Sequence, residues 1–281
     1  MVNFGNKPRI IGKGFIKRMM LLKHRGFSLH YVIPSLLTYE VSRRSLCPCR
    51  YLILPNGFRV ILPIRHQNIR RGTLYTYSEI FIYNEYPKLP EHNVCNGDIV
   101  LDVGAFVGLY TLSVADKASF IIAIEPNIAS YTFLINNIKL NKLHSKVMTF
   151  NVALGDFEGR TTLYIDDWLA GGSTLFNSWH KDYGHSLSIP VRITTLDNLL
   201  KSLGIDRIDM AKIDVEGAEL MVLRGAMESL RTHLIRKLII EVHLGIVNIR
   251  DVRGFLERHN YKIDLLEVRG DTALLYGKVK D

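Results

Sequence analysis

Cysteine is nearly absent from this 281-residue chain. The three residues present, Cys47, Cys49 and Cys95, cannot close a disulfide framework, which favours a reducing compartment and a cytoplasmic protein. Cys47-Pro48-Cys49 lacks the two-residue spacing of a zinc knuckle and has no second pair to complete one, so it reads as an ordinary loop. No run of 18 apolar residues occurs, and no transmembrane helix is expected. The nearest approach, His30 to Leu37, is short and contains Pro34. An apolar stretch ending in a small-residue cleavage site is also missing, so a secretory signal is not expected. Acid is scarce at one end. Residues 1–71 hold one acid, Glu40, against fourteen Lys and Arg, a local charge of +13. The overall charge is +9, so the other 210 residues sum to −4.

What is present is enough apolar sequence, 47%, to bury a large core. The basic N-terminal quarter suggests an anionic partner, either RNA or an acidic membrane surface contacted peripherally, or a phosphorylated substrate. A solvated basic face is the plain alternative. Ile11, Phe15, Met19 and Leu22 follow helical spacing between basic residues. Such a helix can lie on a membrane or pack on its own domain, and packing is the stronger expectation.

The chain divides near residue 95. Residues 1–95 read as a basic extension of helix, hairpin and irregular chain. Tyr51 to Pro55 and Phe58 to Leu62 flank Asn56-Gly57, which predicts a type I′ turn. Residues 96–281 alternate short apolar strands with helical stretches. Strands are expected near Ile99–Val103, Phe120–Ile124, Val147–Val152, Ile208–Ile213 and Leu238–Val242. Helices fit at Leu109–Lys117, Ala129–Asn137 and Glu219–Ser229. A helix at Asp251–Asn260 and strands at Lys262–Glu267 and Ala273–Tyr276 follow. This alternation predicts an α/β, Rossmann-like fold: a mainly parallel sheet flanked by helices.

The segment Ile99-Val-Leu-Asp-Val-Gly-Ala-Phe-Val-Gly places a glycine turn at a strand's carboxyl end, where ligands of open α/β sheets bind. Glu125 ends the next strand, 21 residues after Gly104, the place and spacing of an acid that accepts both ribose hydroxyls of an adenosine. A dinucleotide fingerprint would need glycine at 104, 106 and 109, but Phe106 and Leu109 stand there. The Asp102 carboxylate repels phosphate and suits the ammonium and sulfonium of S-adenosylmethionine.

Four segments resemble the FkbM methyltransferases: Leu101-Asp-Val-Gly-Ala-Phe-Val-Gly, Ile124-Glu-Pro-Asn, Asn151-Val-Ala-Leu-Gly-Asp and Lys212-Ile-Asp-Val-Glu-Gly-Ala-Glu. The resemblance covers roughly residues 96–243. It implies a class I S-adenosylmethionine-dependent methyltransferase, usually acting on an oxygen of a sugar or natural product. The family carries Gly-Ala-Asn-x-Gly in the first motif, where this chain has Phe106. By similarity, Ala153 would lie against adenine, Glu125 would hold the ribose, and Asp102 and Gly104 would contact the methionine end. Gly108 closes the same turn.

Asp214 ends a strand on the same rim, and Asp214 or Glu216 could take the acceptor's proton or hold a divalent ion. The metal-free version is preferred, because no dense set of His and acidic ligands surrounds Asp214 in sequence. Glu219 reads as a helix-opening acid. Glu241 and His243 share one strand face and are the next base candidates. His180, His185, Trp168, Trp179 and Tyr183 lie in an insertion that could cover the pocket. Three functions follow: a sugar or small-molecule O-methyltransferase, an RNA methyltransferase, or a non-catalytic binder of anionic surfaces. Asn136-Asn-Ile-Lys-Leu-Asn-Lys-Leu also occurs in RNA enzymes. Against that reading, the turn at Asp214 lacks the prolines usual in nucleic-acid amino-methylases.

Overall fold

A computed structural model describes residues 13–44, 50–86, 88–166, 170–177 and 187–280. The chain begins with α1 (Lys13–His24) and α2 (Leu29–Arg43), the hairpin β1 (Tyr51–Ile53) and β2 (Arg59–Ile61), and α3 (Gln67–Tyr77). A π-helical turn, Ser78–Tyr83, extends α3. Then come β3 (Ile99–Val103), α4 (Leu109–Val114), β4 (Phe120–Ile124), α5 (Ile128–Leu140) and β5 (Val147–Phe150). A side sheet follows, of β6 (Ala153–Leu154), β7 (Gly159–Ile165) and β8 (Leu187–Thr194). The chain ends with α6 (Leu196–Ser202), β9 (Met210–Ile213), α7 (Glu219–Arg224), α8 (Met227–Arg231), β10 (Lys237–His243), α9 (Ile249–Arg258), β11 (Tyr261–Arg269) and β12 (Thr272–Val279).

The main sheet runs β11-β12-β10-β9-β3-β4-β5. Its five core strands are parallel and β12 is antiparallel to both neighbours. Strand order reverses between β3 and β9, which opens a crevice beyond their carboxyl ends. The predicted α/β Rossmann-like architecture is therefore present. Alternation along the strands divides the core into two layers. Val100, Ile121, Met210 and Ile239 face one layer, and Leu101, Ile122, Ala211 and Ile240 face the other. The same parity continues one step further along each strand, so Asp102, Lys212 and Glu241 follow Val100, Met210 and Ile239 on a single face.

The N-terminal elements belong to that first layer. Phe15, Leu22, Leu36, Leu52 and Tyr77 share one apolar cluster with Val100, Ile121 and Tyr276. The expected packing of α1 on its own domain thus holds, and α1 docks on α2. Buried Glu40 gathers Arg18, Arg43 and Arg44, so the lone acid ties down part of the basic surplus. Among the described residues no helix is long and apolar enough to cross a membrane.

Three local expectations are corrected. The β1–β2 turn is not type I′, which needs positive φ at two residues. Only Gly57 has positive φ there (91°), and its N–H donates to Leu54 O across Pro55 and Asn56. Pro55 fixes an ordinary negative φ, which leaves a longer turn with glycine in the left-handed place. The single helix expected over Glu219–Ser229 breaks at Gly225, where a Cβ would lie 1.8 Å from Gly155 O. The irregular chain expected after the hairpin contains α3, and β7 and β8 form where no element was expected. Cys47, Cys49, Trp168, Trp179, Tyr183, His180 and His185 lie outside the described residues.

The asparagine-rich stretch of α5 has a structural task. Asn137 is fully buried, accepts from Ile61 N at 2.8 Å and donates to Val107 O at 2.8 Å. Asn141 bonds both the N–H and the carbonyl of Arg59. Together they complete the edge of β2, so the motif shared with RNA enzymes clamps the hairpin to α5. Replacing Asn137 by Ala strands two buried backbone groups at about 1–3 kcal/mol each. Asn137→Ala should lower unfolding free energy by about 2–6 kcal/mol in urea titration, and half-buried Asn141→Ala by clearly less. Equal small losses would show that the clamp is dispensable.

Candidate functional site

A cavity of about 820 Å³ opens beyond the carboxyl ends of the strands at the reversal point. Its floor is the glycine turn after β3. Gly104 has φ 78°, and a Cβ there would lie 1.8 Å from Asp214 O, so backbone contact between two loops demands glycine. Gly104 N and Ala105 N both donate to Ile124 O. Phe106 adopts φ 52°, a left-handed conformation that asparagine tolerates better, which accounts for the family's Asn at this place. Its ring turns onto Gly72 of α3 and closes the side of the cavity.

Glu125 is 7% exposed and lines the cavity. Its Oε2 accepts from Phe106 N and its Oε1 from Asn127 N, both at 2.8 Å. Burial pushes its carboxyl up to about 7, against the pull of these two N–H groups. Val152, Ala153 and Leu154 form an apolar wall beside it.

Asp102 and Gly108 occupy different positions from those the sequence suggests. Asp102 has no exposed surface and does not line the cavity. It accepts from Thr111 Oγ1 at 2.6 Å, and its Oδ1 lies 3.6 Å from Lys212 Nζ. Burial raises its pKa and Lys212 opposes the rise. Gly108 (φ 89°) starts α4 against Leu134, also away from the lining. Their contribution is to build the turn, so direct contact of either with a methionine end is not supported by this geometry.

Lys212 opens the fourth of the motif segments, yet sequence alone gives it no role, because one lysine inside a strand does not reveal its partners. Counting alternate residues from Met210 is the signal that finds it. Its buried Nζ donates to Gly104 O at 2.9 Å and lies 3.2 Å from Asp214 Oδ2. Burial works against its charge, but Asp214 and Asp102 outweigh burial and hold the ammonium above its usual range. Tyr86 was also missed. Its hydroxyl lies 3.3 Å from Asp214 Oδ2 and 3.4 Å from Glu241 Oε2, with one proton to donate to either.

Asp214, Glu216, Glu241 and His243 are brought together at the far side of the cavity. Glu216 holds φ 51°, an uncommon conformation for a side chain of this size. Its Oε2 lies 3.0 Å from His243 Nε2, while Glu219 Oε1 lies 2.8 Å from His243 Nδ1. Burial disfavours the imidazolium, yet the carboxylates of Glu216 and Glu219 hold it well above its usual value. Glu219 is fully buried and also accepts from Gly217 N, so it is more than a helix-opening charge. Burial pushes Glu241 up to about 8, with Asp214 adding to the rise.

The N-terminal layer supplies the roof. Tyr75, Glu79, Glu85 and Tyr86 line the cavity, and Glu79 sits in the π-helical turn, a feature frequent at functional sites. Burial and the nearby carboxylates Glu85 and Glu241 push Glu79 up to about 9. Arg269 of β11 pairs with Glu85 and Glu267. From the insertion, Gly172 and Ser173 line the cavity and Thr174 Oγ1 donates to Glu216 O.

Proteins of known description are similar to this chain in sequence or in fold. Methyltransferase sdnD of Sordaria araneosa is 29% identical over 194 residues, 59% of this chain and 73% of its own length. Hexuronic acid methyltransferase AglP of Haloferax volcanii is 25% identical over 181 residues, 64% of this chain and 70% of its own. A crystal structure of a methyltransferase FkbM from Methylobacillus flagellatus KT superposes with a TM-score of 0.50 at 16% identity. That match covers 93% of this chain but 58% of the solved one, and at such identity it shows the fold alone. The family model described as the methyltransferase FkbM domain matches residues 102–263, more than half of the sequence, and the chain belongs to that family.

Proposed function

We propose that the protein is an S-adenosylmethionine-dependent methyltransferase that methylates a hydroxyl of a sugar or other small-molecule acceptor. The observation that carries this is one cavity with two chemically different ends. Glu125 and the apolar wall at Ala153 stand at one end, and Asp214, Glu216, Glu241 and His243 at the other. The volume falls within the range of about 300–1,000 Å³ of small-molecule sites.

The residues fit the cofactor. Each Glu125 oxygen accepts one backbone N–H and keeps further acceptor capacity, enough for the two hydroxyls of a ribose. The wall of Val152, Ala153 and Leu154 suits an adenine ring. The Gly104–Ala105 backbone lies between that wall and Asp214, where the methionine end would run. When bound, S-adenosylmethionine supplies a methyl group on a positively charged sulfur, open to attack by the acceptor oxygen. The protein must hold that oxygen in line and receive its proton. Asp214 is suited to the task, being part-exposed to the cavity and held in place by Lys212 and Tyr86. The AglP relative acts on a hexuronic acid by its description, which favours a sugar acceptor here. The basic N-terminal region leaves RNA as a weaker reading, because the residues of that layer lining the cavity include no Lys or Arg among those described.

Calorimetry should show binding of S-adenosylmethionine and its demethylated product, and none of NAD. Glu125→Ala should weaken cofactor binding by about 1.5–3 kcal/mol, the range for hydrogen bonds to a charged group. The pH dependence has a defined sign. Ribose hydroxyls donate to the carboxylate, so affinity should fall as pH drops through about 7, by up to about tenfold per unit. Glu125→Gln should make that profile flat. The same raised pKa costs the free protein stability as pH rises from the ordinary 4.5 towards 7, because the folded state then holds the proton more tightly. NAD binding without any response to S-adenosylmethionine would refute the reading.

Asp214→Asn keeps the shape and removes the charge. Turnover should fall at least about a hundredfold while cofactor affinity holds, as measured by product mass spectrometry and calorimetry on the same preparation. Wild-type turnover would move the proton-accepting role to Glu241 or His243.

A further inference from the structure

We propose that Asp214, Glu216 and His243 form a divalent-cation site, suited to Mn²⁺, at the acceptor end of the cavity. One ligand atom from each of the three lies within 4.8 Å of the other two. In sequence they are dispersed; in the fold they converge, because β9 and β10 are parallel neighbours with Ile213 opposite Ile240, and β10 runs on to His243 beside the loop that carries Asp214 and Glu216. Two carboxylate oxygens and one imidazole nitrogen, once the ion displaces the proton that nitrogen shares with Glu216, form a mixed donor set compatible with Mn²⁺ and similar first-row ions. Such a set leaves positions open on the cavity side.

Independent features point to an ion rather than to a self-contained network. The Asp214 and Glu216 side chains are 23% and 22% exposed to the cavity, so an ion can reach them. His243 is held from behind by Glu219, at 2.8 Å from Nδ1, which aims Nε2 at Glu216. A carboxylate behind a ligating histidine is the usual support of a metal site. Glu219 is fully buried, and its Oε2 has no hydrogen-bond partner. Finally, the four carboxyls of Asp102, Asp214, Glu216 and Glu219 meet only Lys212 and His243 as cations among the described residues, an excess of acid that a divalent ion would offset.

The second group of this kind, Glu91, His92 and Asp264, differs in just these respects. Asp264 already meets Lys262 at 3.1 Å and Lys278 at 3.5 Å, and His92 Nε2 faces Gly277 O at 3.2 Å. Two lysines meet Asp264, whereas one, Lys212, meets Asp214 and none meets Glu216 among the described residues.

An ion at Asp214, Glu216 and His243 would draw the acceptor hydroxyl towards its ionised form. That role rests on the methyltransferase reading, but binding of the ion does not. The test therefore measures binding to the full chain, stripped with chelator and dialysed, without cofactor or acceptor. Mn²⁺ titration followed by electron paramagnetic resonance should show one ion bound per chain. Glu216→Gln should abolish or greatly weaken that binding. Glu219→Gln should lower affinity by about 10–100-fold, the usual effect of losing the group behind a ligating histidine. Glu91→Gln should bind like the wild type. Circular dichroism checks that each variant is folded, and part-exposed Glu216 is the substitution least able to disturb the core. No Mn²⁺ binding, or binding unchanged in Glu216→Gln, overturns the proposal, whatever the outcome of the cofactor measurements.

Discussion

The ammonium of Lys212 stands between Asp102 and Asp214 and donates to the carbonyl of Gly104. It thereby joins the ends of β3 and β9, the two strands between which the sheet reverses direction. Burying an ion costs several kcal/mol unless partners repay it, and here two carboxylates and a carbonyl do so. The consequence is geometric. With Lys212 in place, the glycine turn and the Asp214 loop approach until only a glycine fits between them. The cavity floor is set by that approach. Thr111 fixes the far side of Asp102, so the tie extends into α4. Buried charge of this kind is weak evidence for stability, but it specifies one arrangement of two loops.

Conformational strain gathers at the same two loops. Phe106 and Glu216 both hold left-handed backbone without being glycine. Each is fastened by side-chain hydrogen bonds to its surroundings: Phe106 N to Glu125, and the carbonyl of Glu216 from Thr174. Residues kept in costly conformations by several independent contacts tend to cluster at functional sites. One loop meets the end of the cavity suited to the cofactor and the other meets the acceptor end, so the strained pair brackets the proposed path of the methyl group.

Periodicity was legible because it is local. Strand alternation in Ile99–Val103 and the acid at Glu125 can be read from a dozen residues each, and the class of fold follows. The turn at Asn56-Gly57 misled because Pro55, one residue earlier, already fixes a different geometry. Side strands β7 and β8 were illegible because Arg160, Thr162, Ser188 and Arg192 make them polar, like a loop. Lys212, Tyr86 and Glu79 escaped notice for another reason. Their roles exist only after residues far apart in the chain are brought together, as when Tyr86 reaches Asp214 and Glu241. The convergence of His243 with Asp214 and Glu216 in space is hidden in sequence on the same ground.

Composition misdirects in a similar way at the N-terminus. A local charge of +13 suggests a polyanion, yet charge summed over a segment says nothing about which side faces a cavity. Three of those arginines are drawn to Glu40. The layer instead offers the cavity Glu79, Glu85 and two tyrosines, and Glu241 and Asp214 meet them from the sheet. A phosphate group entering this space would meet carboxyls and little free positive charge, since Lys212 and Arg269 are both engaged. Hydroxyl groups fare better there. A neutral carboxyl such as Glu79, pushed up to about 9 by burial, can donate to an oxygen as well as accept from one. An acid-lined wall therefore suits the proposed hydroxyl-bearing acceptor better than a phosphorylated one, and a divalent ion beside it would temper the repulsion that so many carboxyls otherwise create.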